Sequence, residues 1–116
     1  MVQKSKASPP PNRRKVHRCS LVATAEVTDI GSGTTLSSRI SELSIGGCYV
    51  EALTPFPEGT QVKVRILRDT GTFETSGTVI HSDTNFGMGL AFSEIKHEQR
   101  SILETWLAEI VNQLRS

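Results

Sequence analysis

Val62-Lys63-Val64-Arg65-Ile66 is the clearest strand in the chain: Val62, Val64 and Ile66 fall on one face and Lys63 and Arg65 on the other, the period of two of a strand with one side buried. On either side lie Pro55-Phe56-Pro57-Glu58-Gly59 and Arg68-Asp69-Thr70-Gly71, which carry the residues that turns need for their backbone angles. Further strands are expected near Thr34 to Ile40, Cys48 to Ala52, Thr72 to Ile80 and Gly87 to Phe92. The first strand begins near Ser20, where Leu21, Ala23, Ala25 and Val27 alternate with Val22, Thr24, Glu26 and Thr28, before the turn Asp29-Ile30-Gly31-Ser32-Gly33. Six short strands joined by turns, with no helix between them, point to an antiparallel barrel or sandwich.

After Ser93 the period changes. Ile102, Leu103, Trp106, Leu107, Ile110, Val111 and Leu114 recur at three- and four-residue steps, which predicts an amphipathic helix over about residues 94–114. Its apolar stripe is expected to pack on the barrel. Leu103, Leu107, Ile110 and Leu114 also have the spacing of a short seam, so a homodimer is the alternative.

With 116 residues there is room for one domain. The formal charge of +1 hides an asymmetry: the first eighteen residues hold Lys4, Lys6, Arg13, Arg14, Lys15 and Arg18 and no acid, so they carry +6. The remaining seven bases against twelve acids leave the body at −5. A basic arm on an acidic body is suited to phosphate. Residues 1–12 are polar and proline-rich, including Ser8-Pro9-Pro10-Pro11-Asn12, and read as a disordered arm preceding a domain over residues 13–116. No signal peptide and no membrane span are read from the sequence, and Cys19 and Cys48 fit free thiols in a reducing cytoplasm.

Two motifs carry chemistry. Arg14-Lys15-Val16-His17-Arg18 places two guanidiniums four residues apart before the first strand, and guanidinium makes bidentate contacts to phosphate or to guanine O6 and N7. Glu42-Leu43-Ser44-Ile45-Gly46-Gly47 places a carboxylate and a hydroxyl on one face if the chain is extended there, followed by a glycine pair expected to allow a tight bend and close ligand approach.

Together these motifs resemble the paired signature of PilZ domains, an RxxxR loop and a [D/N]xSxxG turn. Arg14 and Arg18 match the first, and Ser44 and Gly47 the second; Glu42 stands where the family usually has Asp or Asn. The resemblance continues through Gly46-Gly47-Cys48-Tyr49-Val50 and Gly87-Met88-Gly89-Leu90-Ala91-Phe92, covering about residues 13–110. It implies an all-β fold with a C-terminal helix, a six-stranded antiparallel PilZ-type β-barrel. It also implies a bacterial receptor for the second messenger cyclic di-GMP, held by Arg14, Arg18, Glu42, Ser44 and Gly47, with Arg13 and Gly46 secondary. The arginine loop would order around the nucleotide and signal in trans to a protein partner in motility, biofilm or polysaccharide machinery.

An interaction adaptor that has lost the nucleotide is the alternative function, and nonspecific nucleic-acid binding by the arm is a third. No reaction, cofactor or metal is implied. Asp69-Thr70-Gly71 matches an aspartic-protease triplet but reads as a hairpin loop, and His17, His81 and His97 share no metal-like spacing.

Overall fold

The computed structural model describes residues 23–115, and their side chains through residue 112. Six strands run in chain order: β1 (Thr24–Asp29), β2 (Thr35–Leu43), β3 (Gly47–Glu51), β4 (Gln61–Arg68), β5 (Gly71–Asp83) and β6 (Gly87–Phe92). They close into an antiparallel barrel in the order β1-β2-β3-β6-β5-β4, with β4 returning to β1 through pairs such as Ala25↔Ile66 and Val27↔Val64. Barrel and helix are therefore as the sequence implies, and the closed topology excludes a sandwich.

Alternation sets the inside of the barrel. Ala25 and Val27 on β1, Val62, Val64 and Ile66 on β4, Val50 on β3, and Met88 and Leu90 on β6 all point inward and are buried. Lys63 and Arg65 face outward, where Arg65 pairs with Glu26 at 3.3 Å and Glu74 at 3.2 Å. Such exposed pairs contribute little to stability, and the fold rests on the apolar interior.

The terminal helix α1 (His97–Arg115) covers the barrel with Leu103, Trp106 and Ile110, all buried. Trp106 meets Phe73 edge-on, centroids 6.4 Å apart, and Phe73 stacks tilted on Phe92 at 5.3 Å. Leu103 and Ile110 are thus committed to the barrel and not to a seam between copies. Arg68 lies 5.2 Å above the Trp106 ring and bonds Glu109 Oε1 at 3.1 Å.

Several boundaries differ from expectation, for physical reasons. The helix begins three residues later than expected because Ser93 N donates to Ser76 O at 2.8 Å and Ile95 packs on the core, so this stretch stays tied to β5. Arg100 N to Lys96 O, at 2.8 Å, starts the helical ladder. Strand β2 runs on to Leu43 and β5 to Asp83, each through a bulge: one between Ile40 and Glu42, the other between Val79 and His81. The start expected near Ser20, like the whole arm, lies outside the described residues.

Candidate functional site

The chain reverses between β2 and β3 at Ser44-Ile45-Gly46-Gly47. Ser44 N donates to Gly47 O at 2.9 Å, the Ser44 hydroxyl donates to the same carbonyl at 3.3 Å, and Gly46 N donates back to Ser44 Oγ at 3.3 Å. On the other side Phe92 N donates to Gly46 O at 2.8 Å, so the turn is clamped to the end of β6. Ser44 therefore shapes the turn while remaining exposed.

The two glycines of the turn serve different ends. Neither Gly46 nor Gly47 has positive φ, so the bend does not depend on a left-handed backbone. A Cβ on Gly47 would sit 2.0 Å from the carbonyl oxygen of Leu90, so glycine is required there by the close approach of β3 to β6. A Cβ on Gly46 would meet nothing within 4 Å, which leaves that position open to a ligand.

The two bulges frame the site. Each inserts one residue, Ser41 or Ile80, yet keeps the pairs on either side in phase: Ile40↔Val50 and Val79↔Leu90 face inward, and Glu42↔Tyr49 and His81↔Gly89 face outward. The outer surface consequently carries a row Glu42, Tyr49, Gly89, His81 across four strands, with Glu51, Gly87 and Asp83 in the row beside it. The added residue Ile80 is left 60 % exposed.

These features form an open depression lined by Glu42, Ser44, Gly46, Gly47, Tyr49, Ile80 and Gly89. Its rim is acidic. The Tyr49 phenol is held above the ordinary tyrosine value, first by desolvation, then by its hydrogen bond to Asp83 at 3.1 Å and by the charges of Asp83, Glu42 and Glu51. His81 Nε2 lies 3.0 Å from the same Asp83 Oδ2. Basic groups arriving from elsewhere meet a favourable field here, and an anion needs accompanying cations.

Of the residues singled out in the sequence, Glu42, Ser44, Gly46 and Gly47 come together on this one surface. Arg13, Arg14 and Arg18 lie outside the described residues. The described chain does begin close by: the Ala23 carbonyl accepts from Ile40 N at 3.3 Å, two residues before Glu42 on β2. Sequence reasoning missed Tyr49, Ile80 and Gly89 as lining residues. Tyr49 and Gly89 share the outward phase of Glu42, a signal visible only once the strand register is known, and Ile80 is exposed through a bulge that no local pattern marks.

Among the described residues no group of three His, Cys, Asp or Glu is arranged to hold a metal ion, and no helix is long and apolar enough to cross a membrane. Cys48 is buried, which pushes its thiol up to about 12. Asp69 and Thr70 form the exposed two-residue connection between Arg68 and Gly71, which pair with each other at the ends of β4 and β5.

Comparison with solved structures places the same architecture in several other proteins. The PilZ domain of CeSA from a cellulose-synthesizing bacterium superimposes with a TM-score of 0.61 at 17 % identity, over 81 % of this chain and 97 % of that one. The PilZ domain of Escherichia coli YcgR, solved with c-di-GMP, gives 0.67 at 16 % identity, over 90 % and 95 %. MrkH of K. pneumonia in its apo state gives 0.71 at 15 % identity, where this chain covers 55 % of the longer protein. No curated protein matches the chain. Identities this low establish the fold alone. The sequence model of the PilZ domain, however, matches residues 12–109, the whole barrel, most of its helix and the arginine motif before it. The chain belongs to the PilZ domain family, a family of cyclic di-GMP receptors.

Proposed function

We propose that this chain is itself a cyclic di-GMP receptor, in which Arg14 and Arg18 hold guanine and phosphate from the N-terminal side while Glu42, Ser44 and Gly47 hold the nucleotide on the barrel. The observation that carries the reading is the gathering of Glu42, Ser44, Gly46 and Gly47 around one outward depression, beside the point where the chain enters the barrel at Ala23. Arg18 lies five residues before Ala23, a span of up to ~17 Å in extended chain, enough to reach the depression.

Each residue type has a role that its chemistry supports. The Glu42 carboxylate can accept from guanine N1–H and N2–H, with one methylene more than the usual Asp. Ser44 keeps the turn closed and offers its exposed oxygen, and Gly46 leaves room above the turn. Arg14 and Arg18 supply the cations that an anionic ligand requires over an acidic rim, with Arg13 a further phosphate contact. Ordering of the arginine segment around the nucleotide would convert messenger concentration into a change in the position of residues 1–22, read by a protein partner in the bacterial cytoplasm.

Calorimetry with cyclic di-GMP tests this directly. Saturable heat at micromolar ligand is expected, and the absence of heat with a folded protein would overturn the reading. An adaptor that works without nucleotide is the second reading, favoured by one observation: the Ser44 hydroxyl is already engaged on both sides within its own turn.

A further inference from the structure

Beyond β3 and β6 the two backbones stay paired. Ala52 N donates to Phe86 O at 3.0 Å and Asn85 N to Leu53 O at 2.8 Å, and Asn85 holds this turn with a φ of 75°. The arrangement projects two large apolar side chains into solvent, Leu53 at 74 % and Phe86 at 72 % exposure, the most exposed large apolar residues among those described. Neither takes part in the nucleotide site. Exposed apolar residues held together on a fixed turn are a common mark of a contact surface.

The hollow beside Phe86 indicates what fits. It is lined by Ser41, Glu42, Tyr49, Glu51, Asp83 and Phe86, two aromatic rings with three carboxylates around them. Arg39 offsets Glu51 in part, at 3.6 Å. Aromatic rings bounded by acids suit a proline-rich segment followed by arginines, because a polyproline helix is already ordered, stacks its rings on aromatic faces and lets adjacent guanidiniums reach the carboxylates.

This chain contains such a segment, Ser8-Pro9-Pro10-Pro11-Asn12-Arg13-Arg14. Pro11 lies twelve residues before Ala23, a reach of up to ~40 Å. Ala23 bonds Ile40, and Ile40 pairs with Val50, the strand neighbour of both Tyr49 and Glu51. The hollow is thus a few strand spacings of ~4.8 Å away, and the tether supplies a high effective concentration.

We propose that residues 8–14 of this chain dock on its own Phe86–Leu53 surface when nucleotide is absent, with the prolines against Phe86 and Tyr49 and with Arg13 and Arg14 among Glu42, Glu51 and Asp83. This goes beyond nucleotide binding and does not depend on it. Because Arg14 also belongs to the proposed nucleotide site, docking and nucleotide would compete for it.

The test uses the full chain without nucleotide, carrying Cys19→Ser and a nitroxide on Ser5→Cys; burial of Cys48, with its thiol pushed up to about 12, spares it from the label. Amide signals of Leu53, Asn85 and Phe86 are expected to lose more than half their height, while those of Asp69 and Thr70 keep theirs. The loss should disappear with Leu53→Ser and Phe86→Ser together, exposed positions that leave the barrel intact. No loss at Leu53 and Phe86, or a loss unchanged by the double substitution, overturns the proposal. So does a loss seen equally when spin-labelled and isotope-labelled chains are mixed, which would assign the contact to a second copy.

Discussion

The Tyr49 hydroxyl donates to Asp83 Oδ2 at 3.1 Å, and the ring that carries it lies on Gly87, where an added Cβ would come within 2.6 Å of ring carbon Cε2. One side chain thereby spans from β3 across β6 to β5 and forms a wall shared by the depression at the Ser44 turn and the hollow beside Phe86. Binding on either side of Tyr49 therefore acts on the same residue.

Tyr49 is the only tyrosine, so its phenolate absorbance reports a single group. Its titration is expected above the ordinary tyrosine value and to fall towards that value in Asp83→Asn. A phenol whose folded-state value is raised stabilises the fold at every pH below the unfolded value, and that contribution is lost as pH rises through the folded one. Tyr49→Phe should therefore flatten the alkaline end of the stability profile. An unshifted titration midpoint would contradict the acidic rim.

Glycine substitutions should separate packing from ligand contact. Gly87→Ala meets Val50 O at 2.4 Å as well as the Tyr49 ring, and Gly47→Ala meets Leu90 O at 2.0 Å, so each is expected to cost about 1–3 kcal/mol or more in urea unfolding. Gly46→Ala meets nothing within 4 Å and should stay within about 0.5 kcal/mol of the parent. A loss of nucleotide affinity in Gly46→Ala, at unchanged stability, would place the ligand over the turn.

The legible parts of the fold were those set by alternation. Val62, Val64 and Ile66 pointed inward as their period required, and Leu103, Trp106 and Ile110 found the barrel as theirs did. What stayed hidden was set by partners distant in sequence. The bulges at Ser41 and Ile80 arise from pairing with β3 and β6, and the delayed start of α1 comes from Ser93 bonding Ser76. The need for glycine at position 47 was legible, but its cause, a carbonyl more than forty residues away, was not. The same holds for the site: Glu42 and Ser44 stood out by type and spacing, whereas Ile80 becomes a lining residue only through its bulge.

Arg68 ties the helix to the barrel by two contacts, the face of Trp106 and the carboxylate of Glu109. Arg68→Ala should cost about 1–2 kcal/mol, read by the fluorescence of the only tryptophan. Glu109→Ala removes just the partly exposed ion pair and should cost less than about 1 kcal/mol. Equal losses would show that the ion pair, and not the ring contact, carries the attachment.

In the proposed cyclic di-GMP site, Arg14→Ala and Arg18→Ala would each remove charge-assisted contacts worth about 1.5–3 kcal/mol, so calorimetry should show affinity lower by roughly 10- to 150-fold. Both residues precede the barrel, so its unfolding midpoint should not change. Glu42→Gln replaces the proposed acceptor of two guanine donors by an amide with a single carbonyl oxygen and should weaken binding by roughly tenfold, about 1.4 kcal/mol. Glu42→Asp restores the shorter carboxylate usual in the family and should bind at least as tightly as the parent. If Glu42→Gln and Glu42→Asp both bind like the parent, the carboxylate does not read guanine, and the nucleotide is held by the arginines and the turn alone.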